Sequence, residues 1–410
     1  MPLLSPPTVF VGIYWGGSEH EVRVLDHDGT TLTRQRVSHD RDGLEELDQL
    51  LSQFAEFHPV VAIERAEGLL VERLQANGWP VYCISPKLSA RARERYRLAN
   101  TKSDAFDAYV LADSLRLQHE QWHPMARASD LTAELACLAR DRERITQSQR
   151  QVESRLRATL EAYHPAPLHL FSSLDRDITL AFIRDYPNPH AASAVGVERM
   201  RRFLRRNHYS GRTSPEELTS RLKEHLLQAA PGSEQGRQRL ALHLVDQLSL
   251  LNTQLDDYDK ALAELVPSHP DGALFLSFPG IGPVIAATLI GEMGDDRSRY
   301  PHAAALLADA GLAPVTRASG RTRQVRFRYA ANHHLRHAID CWMTVAARDD
   351  PWSHEIYQTS RAAGQGRYRA YRGLGARWTR ILWRAWTDHQ PYDTERHHAP
   401  KTQPDTPGQA

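Results

Sequence analysis

A chain of 410 residues with 41% hydrophobic and 25% charged residues has the composition of a soluble globular protein of two or three domains. Its formal net charge of +1 excludes a globally basic nucleic-acid binder, so any affinity for phosphate must come from local clustering of charge. Three widely spaced cysteines exclude a disulfide framework, no apolar run approaches the ~20 residues of a membrane helix, and the first residues lack the basic and apolar regions of a signal peptide; the expectation is a cytoplasmic protein.

Residues 1–125 alternate strand and helix signals, which predicts an α/β domain. Val9-Phe10-Val11-Gly12-Ile13-Tyr14-Trp15 reads as a buried first strand that delivers Tyr14 to its carboxyl end. Glu21–Leu25 alternates polar and apolar residues, Asp26-His27-Asp28-Gly29 supplies a tight turn, and Thr31–Val37 returns as a third strand. Leu44, Leu47, Leu50, Leu51 and Phe54 mark a helix. Val60–Ile63 is a short buried strand that ends at Glu64, Leu69–Ala76 a helix, and Val81–Ile84 another strand. Ser103 caps a helix that carries Asp104 and Asp107 and runs to about Leu117. Three antiparallel strands followed by strands separated by helices is the order of a ribonuclease-H-like domain.

Glu64, Asp104 and Asp107 have the pattern of a metal site. Two-metal phosphoryl transfer needs several hard oxygen ligands converging on Mg²⁺ ions roughly 4 Å apart. Asp104 and Asp107 stand at i and i+3, on one face of their helix, and Glu64 stands at a strand's carboxyl end, where α/β proteins place their sites. Taken singly, each reads first as a surface acid, and Asp104 also as a charge favoured at a helix start.

Residues 126–268 are long, helical and coiled-coil-like, dense in Arg, Glu and Gln, from Ser129 to Tyr163 and again from Gly236 to Leu265. Leu240, Leu242, Leu244, Val245, Leu248, Leu251, Leu255 and Tyr258 form the apolar face of the second helix, which could pair with the first or with another subunit. Between them residues 165–230 form a polar, helix-rich insert with no visible chemistry. Residues 269–388 read as a mostly α final domain, and 389–410 as a polar, Pro-rich disordered tail.

The final domain holds two features. Phe278-Pro279-Gly280-Ile281-Gly282-Pro283 before a helical run over Val284–Ile290 has the form of a helix-hairpin-helix turn. Gly280 and Gly282 there let the backbone approach a phosphate, although a plain capping turn looks the same. Further on, Ser319 lies among Arg317, Arg321, Arg323, Arg326 and Arg328, with His333, His334 and His337 following. From Gly311 to Trp386 there are fourteen arginines, no lysine and only four acidic residues, a local excess of ten positive charges. Arginine without lysine favours bidentate phosphate contacts over simple attraction; a solvated or interface face is the alternative. On spacing alone Ser319 is a turn serine in a basic loop.

These motifs together resemble the DEDD transposases of bridge-RNA-guided insertion sequences, a family that also includes the Piv-type DNA invertases. The resemblance runs through Val11-Gly12-Ile13, Ala62-Ile63-Glu64, Ser85-Pro86, Lys102-Ser103-Asp104 with Asp107, Pro279-Gly280-Ile281-Gly282, Gly311-Leu312-Ala313-Pro314 and Ser319-Gly320, across nearly the whole chain. It implies an N-terminal domain similar to the RuvC resolvase and a C-terminal transposase domain with a nucleophilic serine. Glu64, Asp104 and Asp107 are then Mg²⁺ ligands, Ser319 the residue that links to DNA, and Lys102, Gly280, Gly282 and the arginines 317, 321, 323, 326 and 328 nucleic-acid contacts. It also implies donor and target DNA, a non-coding bridge RNA that pairs with both, and dimers assembling to a tetramer in which the metal domain of one subunit completes the serine site of another.

Tyr14 departs from that pattern, which has Asp at this position. A phenol that keeps its proton near neutral pH is a poor Mg²⁺ ligand. The sequence therefore leaves three expectations: a serine transposase or recombinase, a catalytically weakened or silent DNA- or RNA-binding relative, and a metal nuclease without serine chemistry.

Overall fold

The computed structural model describes residues 8–96, 103–319 and 322–395. The chain divides into two compact units, Met1–Arg127 and Ala128–Ala410.

In the first unit, strands β1 (Phe10–Trp15), β2 (Glu19–Leu25) and β3 (Thr31–Ser38) are followed by helix α1 (Arg41–Ser52). Then come β4 (Val60–Ile63), α2 (Leu69–Ala76), β5 (Val81–Cys83), α3 (Pro86–Arg93) and α4 (Asp104–Gln118). The sheet order is β3-β2-β1-β4-β5, with β1 antiparallel to β2 and parallel to β4. Alternation along β1 splits the core by face. Val9, Val11 and Ile13 pack with Leu47, Leu50 and Leu51 of α1 and Leu70, Val71 and Leu74 of α2. Phe10 packs on the other face with Ala62, Tyr82, Ile84 and Leu111 and Leu115 of α4.

Gly12 is the close approach of this unit. A Cβ there would overlap the carbonyl oxygen of Ala108 and lie 2.6 Å from the amide nitrogen of Ala112. Helix α4 therefore rests directly on the β1 backbone. Gly12→Val should destabilise the unit by roughly 3 kcal/mol, the cost of overpacking without room to relax. The check is a chemical-denaturation midpoint, and a midpoint equal to wild type would rule out this contact.

The second unit opens on α5 (Asp130–Glu161), continues through α6 (Asp177–Asp185), α7 (Pro189–Ser193), α8 (Val197–Arg206) and α9 (Pro215–Glu224), and returns on α10 (Pro231–Leu265). The two long helices pack antiparallel on each other: Arg142 pairs with Asp259, Gln149 donates to Asn252 at 2.8 Å, and Leu156 shares a core with Ala241. The polar insert has a core of its own, built on Phe182, Met200, Phe203 and Leu218.

Helices α11 (Gly272–Leu276), α12 (Pro283–Met293) and α13 (Ala303–Asp309) lead to a hairpin of β6 (Val315–Ser319) and β7 (Thr322–Arg326). Helices α14 (His333–Asp349), α15 (Pro351–Ala362) and α16 (Arg367–Thr387) follow. Trp342, Trp378, Trp386 and Phe278 fill their common core, which also takes in Leu135 and Ala139 of α5 and Leu262 of α10. The helical middle and the final domain, separate in the sequence reading, thus form one unit because the ends of the long helices are buried in the tryptophan core. Residue 392, expected to lie in a disordered tail, is packed. Tyr392 stacks on Phe278 with centroids 5.0 Å apart, and its backbone N–H donates to Ser277 Oγ at 2.7 Å. The rest of that tail, from 396, lies outside the described residues.

Candidate functional site

Tyr14 follows Gly12 by two residues on β1, so its side chain leaves the sheet on the α4 face. Glu64 comes one residue after Ile63, whose register partner is Ile13, so Tyr14 and Glu64 sit side by side at the carboxyl ends of parallel strands. Ser103 accepts a hydrogen bond from the Phe106 N–H and starts α4, with Asp104 and Asp107 in its first turn. Two elements, β4 and α4, thus bring acidic residues toward one end of the sheet, where β1 places Tyr14. The two aspartates part company there: Asp107 is fully buried and Asp104 exposed. Helix α4 lies on the sheet along Asp107, Ala108, Leu111 and Leu115, and Asp104 falls at the edge of that stripe.

Asp107 is ion-paired with Arg93 of α3 at 3.2 Å. Glu64 Oε1 is buried with no hydrogen-bond partner among the described residues, an arrangement that suits a hard cation. The donor chemistry fits Mg²⁺. The gathering is incomplete: among the described residues no three His, Cys, Asp or Glu side chains are grouped to hold a metal ion. Lys102 lies outside the described residues.

Ser319 is the last residue of β6, exposed, and in register with Thr322. The sequence expectation of a loop is corrected to a hairpin. Arg323 and Arg326 project from β7, and Arg328 donates through Nε to the Ala313 carbonyl at 3.1 Å. The Arg317 backbone lies on β6, while Gly320 and Arg321 lie outside the described residues. Among the described residues Ser319 makes no side-chain hydrogen bond, and His334 is engaged elsewhere, with Nδ1 2.6 Å from Glu143 Oε2. The base of the hairpin is anchored through Glu292, whose carboxylate accepts from Arg140 at 2.8 Å and from Asn332 at 2.7 Å, while Asn332 caps α14. Burial would raise the Glu292 carboxyl, but the hydrogen bond and charge of Arg140, with the Asn332 hydrogen bond and nearby His334, together outweigh it and hold the group below the usual carboxylate range.

The glycine turn joins α11 to α12. Gly280 has φ +81°, and a Cβ there would lie 3.0 Å from the Ala346 amide nitrogen, so it answers to packing on α14. The Trp342 indole donates to the Pro279 carbonyl at 2.8 Å and pins the turn. Gly282 faces open space, and no side chain caps α12 after it.

The matches to known proteins cover both sites. The profile of the IS110 DEDD transposases matches residues 11–165, and that described as "Transposase IS116/IS110/IS902 family" matches residues 272–358. The chain is 34% identical over 408 residues to the "Mini-circle putative transposase for IS117" of Streptomyces coelicolor, covering 97% of this chain and 98% of that protein. The chain belongs to the IS116/IS110/IS902 transposase family. It is also 28% identical to an uncharacterized 42 kDa protein of insertion element IS900 from Mycobacterium paratuberculosis, over 94% of this chain and 97% of the relative. An uncharacterized 44.8 kDa protein of IS116 from Streptomyces clavuligerus is 28% identical, over 92% and 94%. As a transposase, the protein acts on DNA. Among the described residues no helix is long and apolar enough to cross a membrane.

In this transposase the residue opposite Tyr14 across the β1–β2 pair is Glu21, which sequence reasoning passed over. Glu21 is buried and accepts from Arg36 Nε at 2.8 Å and Arg34 Nε at 3.3 Å. Burial would raise its carboxyl; the two guanidinium groups hold it low. Asp26 and Asp28, the acids of the turn after β2, sit at the end of β2 away from Tyr14, where Asp26 Oδ1 caps the turn by accepting from Asp28 and Thr30 N–H groups.

On the opposite face of the sheet His20 is buried against Trp15, with its Nε2 2.8 Å from His39 Nδ1. Burial, then the neighbouring His39, push its imidazole down from 6.5 to about 4. The folded state therefore binds this proton less readily than the unfolded state. Its contribution to stability is full above pH 6.5 and is lost as pH falls toward 4, about 2 kcal/mol by pH 5. Denaturation at pH 7 and pH 5 checks this; His20→Gln should show a shallower fall, and equal slopes would exclude His20 as the cause.

Proposed function

We propose that this transposase cuts and rejoins DNA through Ser319, with Glu64, Asp104 and Asp107 holding Mg²⁺ and a structured non-coding RNA selecting the donor and target sites. The observation that carries the reading is Ser319 exposed at the tip of an arginine-bearing hairpin, within one family-matched segment, while the other segment draws its carboxylates to one sheet end. Ser319 Oγ attacks a backbone phosphorus, an Oγ–P bond forms, the P–O bond to one sugar oxygen breaks, and the serine proton ends on the departing hydroxyl. A hydroxyl of a second strand reverses these bonds and frees the serine. Arg323, one residue from the register partner of Ser319, stands on β7 to hold the phosphate oxygens as charge accumulates, and Arg326, paired with Val315 at the other end of the hairpin, meets the nucleic-acid backbone farther along. Arg317, Arg321 and Arg328 belong to the same basic run, and Lys102 and the open turn at Gly282 to the wider DNA contact. Bound Mg²⁺ supplies charge stabilisation of the phosphate. The reading includes a RuvC-like first unit, a cytoplasmic setting, and the dimers assembling to a tetramer that the family resemblance implies. The test is a covalent protein–DNA adduct formed with Mg²⁺ and the RNA that flanks the gene, and lost in Ser319→Ala.

A second reading has its own observation. Tyr14 at the fourth ligand position, with fewer than three ligands gathered among the described residues, favours a weakened or silent DNA- or RNA-binding relative. Wild-type protein that binds DNA without forming adduct, under conditions where Tyr14→Asp forms it, would establish that reading. A metal nuclease without serine chemistry would instead cleave normally as Ser319→Ala.

A further inference from the structure

Beyond β7 the chain carries Phe327 and Tyr329 into solvent. Tyr329 is 78% exposed, so almost none of its ring contributes to the core. Its place is nonetheless fixed. Phe327 meets it edge-on, with centroids 5.0 Å apart at 83°. The guanidinium groups of Arg336 and Arg372 lie over the Phe327 ring at 4.8 and 5.1 Å. Arg336 is itself tied down, donating to the carbonyls of Arg328 at 2.7 Å and Ala310 at 3.3 Å. One turn before Arg372 on α16, Tyr368 is 74% exposed. Two tyrosine rings stand in water, one of them set on an arginine-held phenylalanine; they make no sense as core and good sense as surfaces for planar ligands beside a polyanion.

We propose that Tyr329, mounted on Phe327 and its two arginines, is a stacking platform for an unpaired DNA base near the phosphate that Ser319 attacks. The proposal rests on the serine reading for its location but not for its chemistry. Base–aromatic stacking is indifferent to sequence because every base has a π face, and arginines along the strand hold the backbone. From Thr322, the register partner of Ser319, to the end of β7 the hairpin spans roughly 14 Å. That is about four nucleotides at duplex spacing. Tyr329 lies three residues past that end, so the base that stacks on it is one unpaired by strand opening several nucleotides from the cut.

The experiment uses the full chain and short DNA carrying 2-aminopurine, whose fluorescence is quenched on stacking. Wild type should quench the single strand, and Tyr329→Ala should bind it about tenfold more weakly while duplex affinity stays within about twofold. Tyr329→Trp should retain binding and Tyr329→Leu should not. Equal single-strand binding by wild type and Tyr329→Ala overturns the platform, as does an equal loss on duplex, or dependence on Tyr329 for RNA of the same sequence but not for DNA. The assay needs no cleavage, so an intact adduct in Ser319→Ala would defeat the serine reading and leave this result standing on its own.

Discussion

Ser319→Ala should abolish the covalent protein–DNA adduct and reduce strand exchange by at least about 10⁴-fold, while DNA affinity changes little. Removing a nucleophile deletes the pathway, and what remains is the slow reaction that binding and charge alone can support. The substitution is structurally mild: Ser319 is exposed, ends its strand, and makes no side-chain hydrogen bond among the described residues. Any loss therefore reports chemistry and not folding. Gel-shift titration against denaturing-gel detection of the adduct separates the two. Cleavage that persists at wild-type rate would move the chemistry to the carboxylates, and then Asp107→Asn should abolish it instead.

Tyr14→Asp should raise Mg²⁺ affinity by about tenfold or more and increase adduct formation at limiting Mg²⁺. The new carboxylate would stand at the carboxyl end of β1 beside Glu64, on the face where α4 presents Asp107. Adding a charged oxygen to a set of hard ligands strengthens their grip on a hard cation. Arg93 on Asp107 and the Arg34–Glu21–Arg36 cluster lie on adjacent strands and helices, so the added negative charge enters a region already supplied with counter-charge. Calorimetric Mg²⁺ titration reads the affinity without reference to activity. Identical titrations for both forms would mean that position 14 is not a ligand position in this protein.

Much of the first unit was legible because its signals are apolar and local. Val60–Ile63 and Leu69–Ala76 announce themselves by composition and period, and both appear with those bounds. The hairpin around Ser319 was not legible. Its strands are Thr- and Arg-rich, β7 is exposed throughout, and no buried face imposes an alternating pattern. Glu21 was hidden for a different reason: its place opposite Tyr14 depends on the register set by the β1–β2 turn. Asp104 and Asp107 share a helix face in sequence, yet only tertiary contact decides that Asp107 is covered and Asp104 left at the rim. Tyr392 was read as tail because its neighbours are polar and proline-rich, although its own ring fills a place beside Phe278 and Trp378.

The antiparallel pair of long helices acts as a spacer of defined length. Leu135 is embedded in the core that carries the serine hairpin, and Leu160 in the core that meets the insert. Between these two residues α5 rises about 38 Å at 1.5 Å per residue. Deleting one heptad from both helices would bring the two cores about 10 Å closer while keeping the same helix faces in contact.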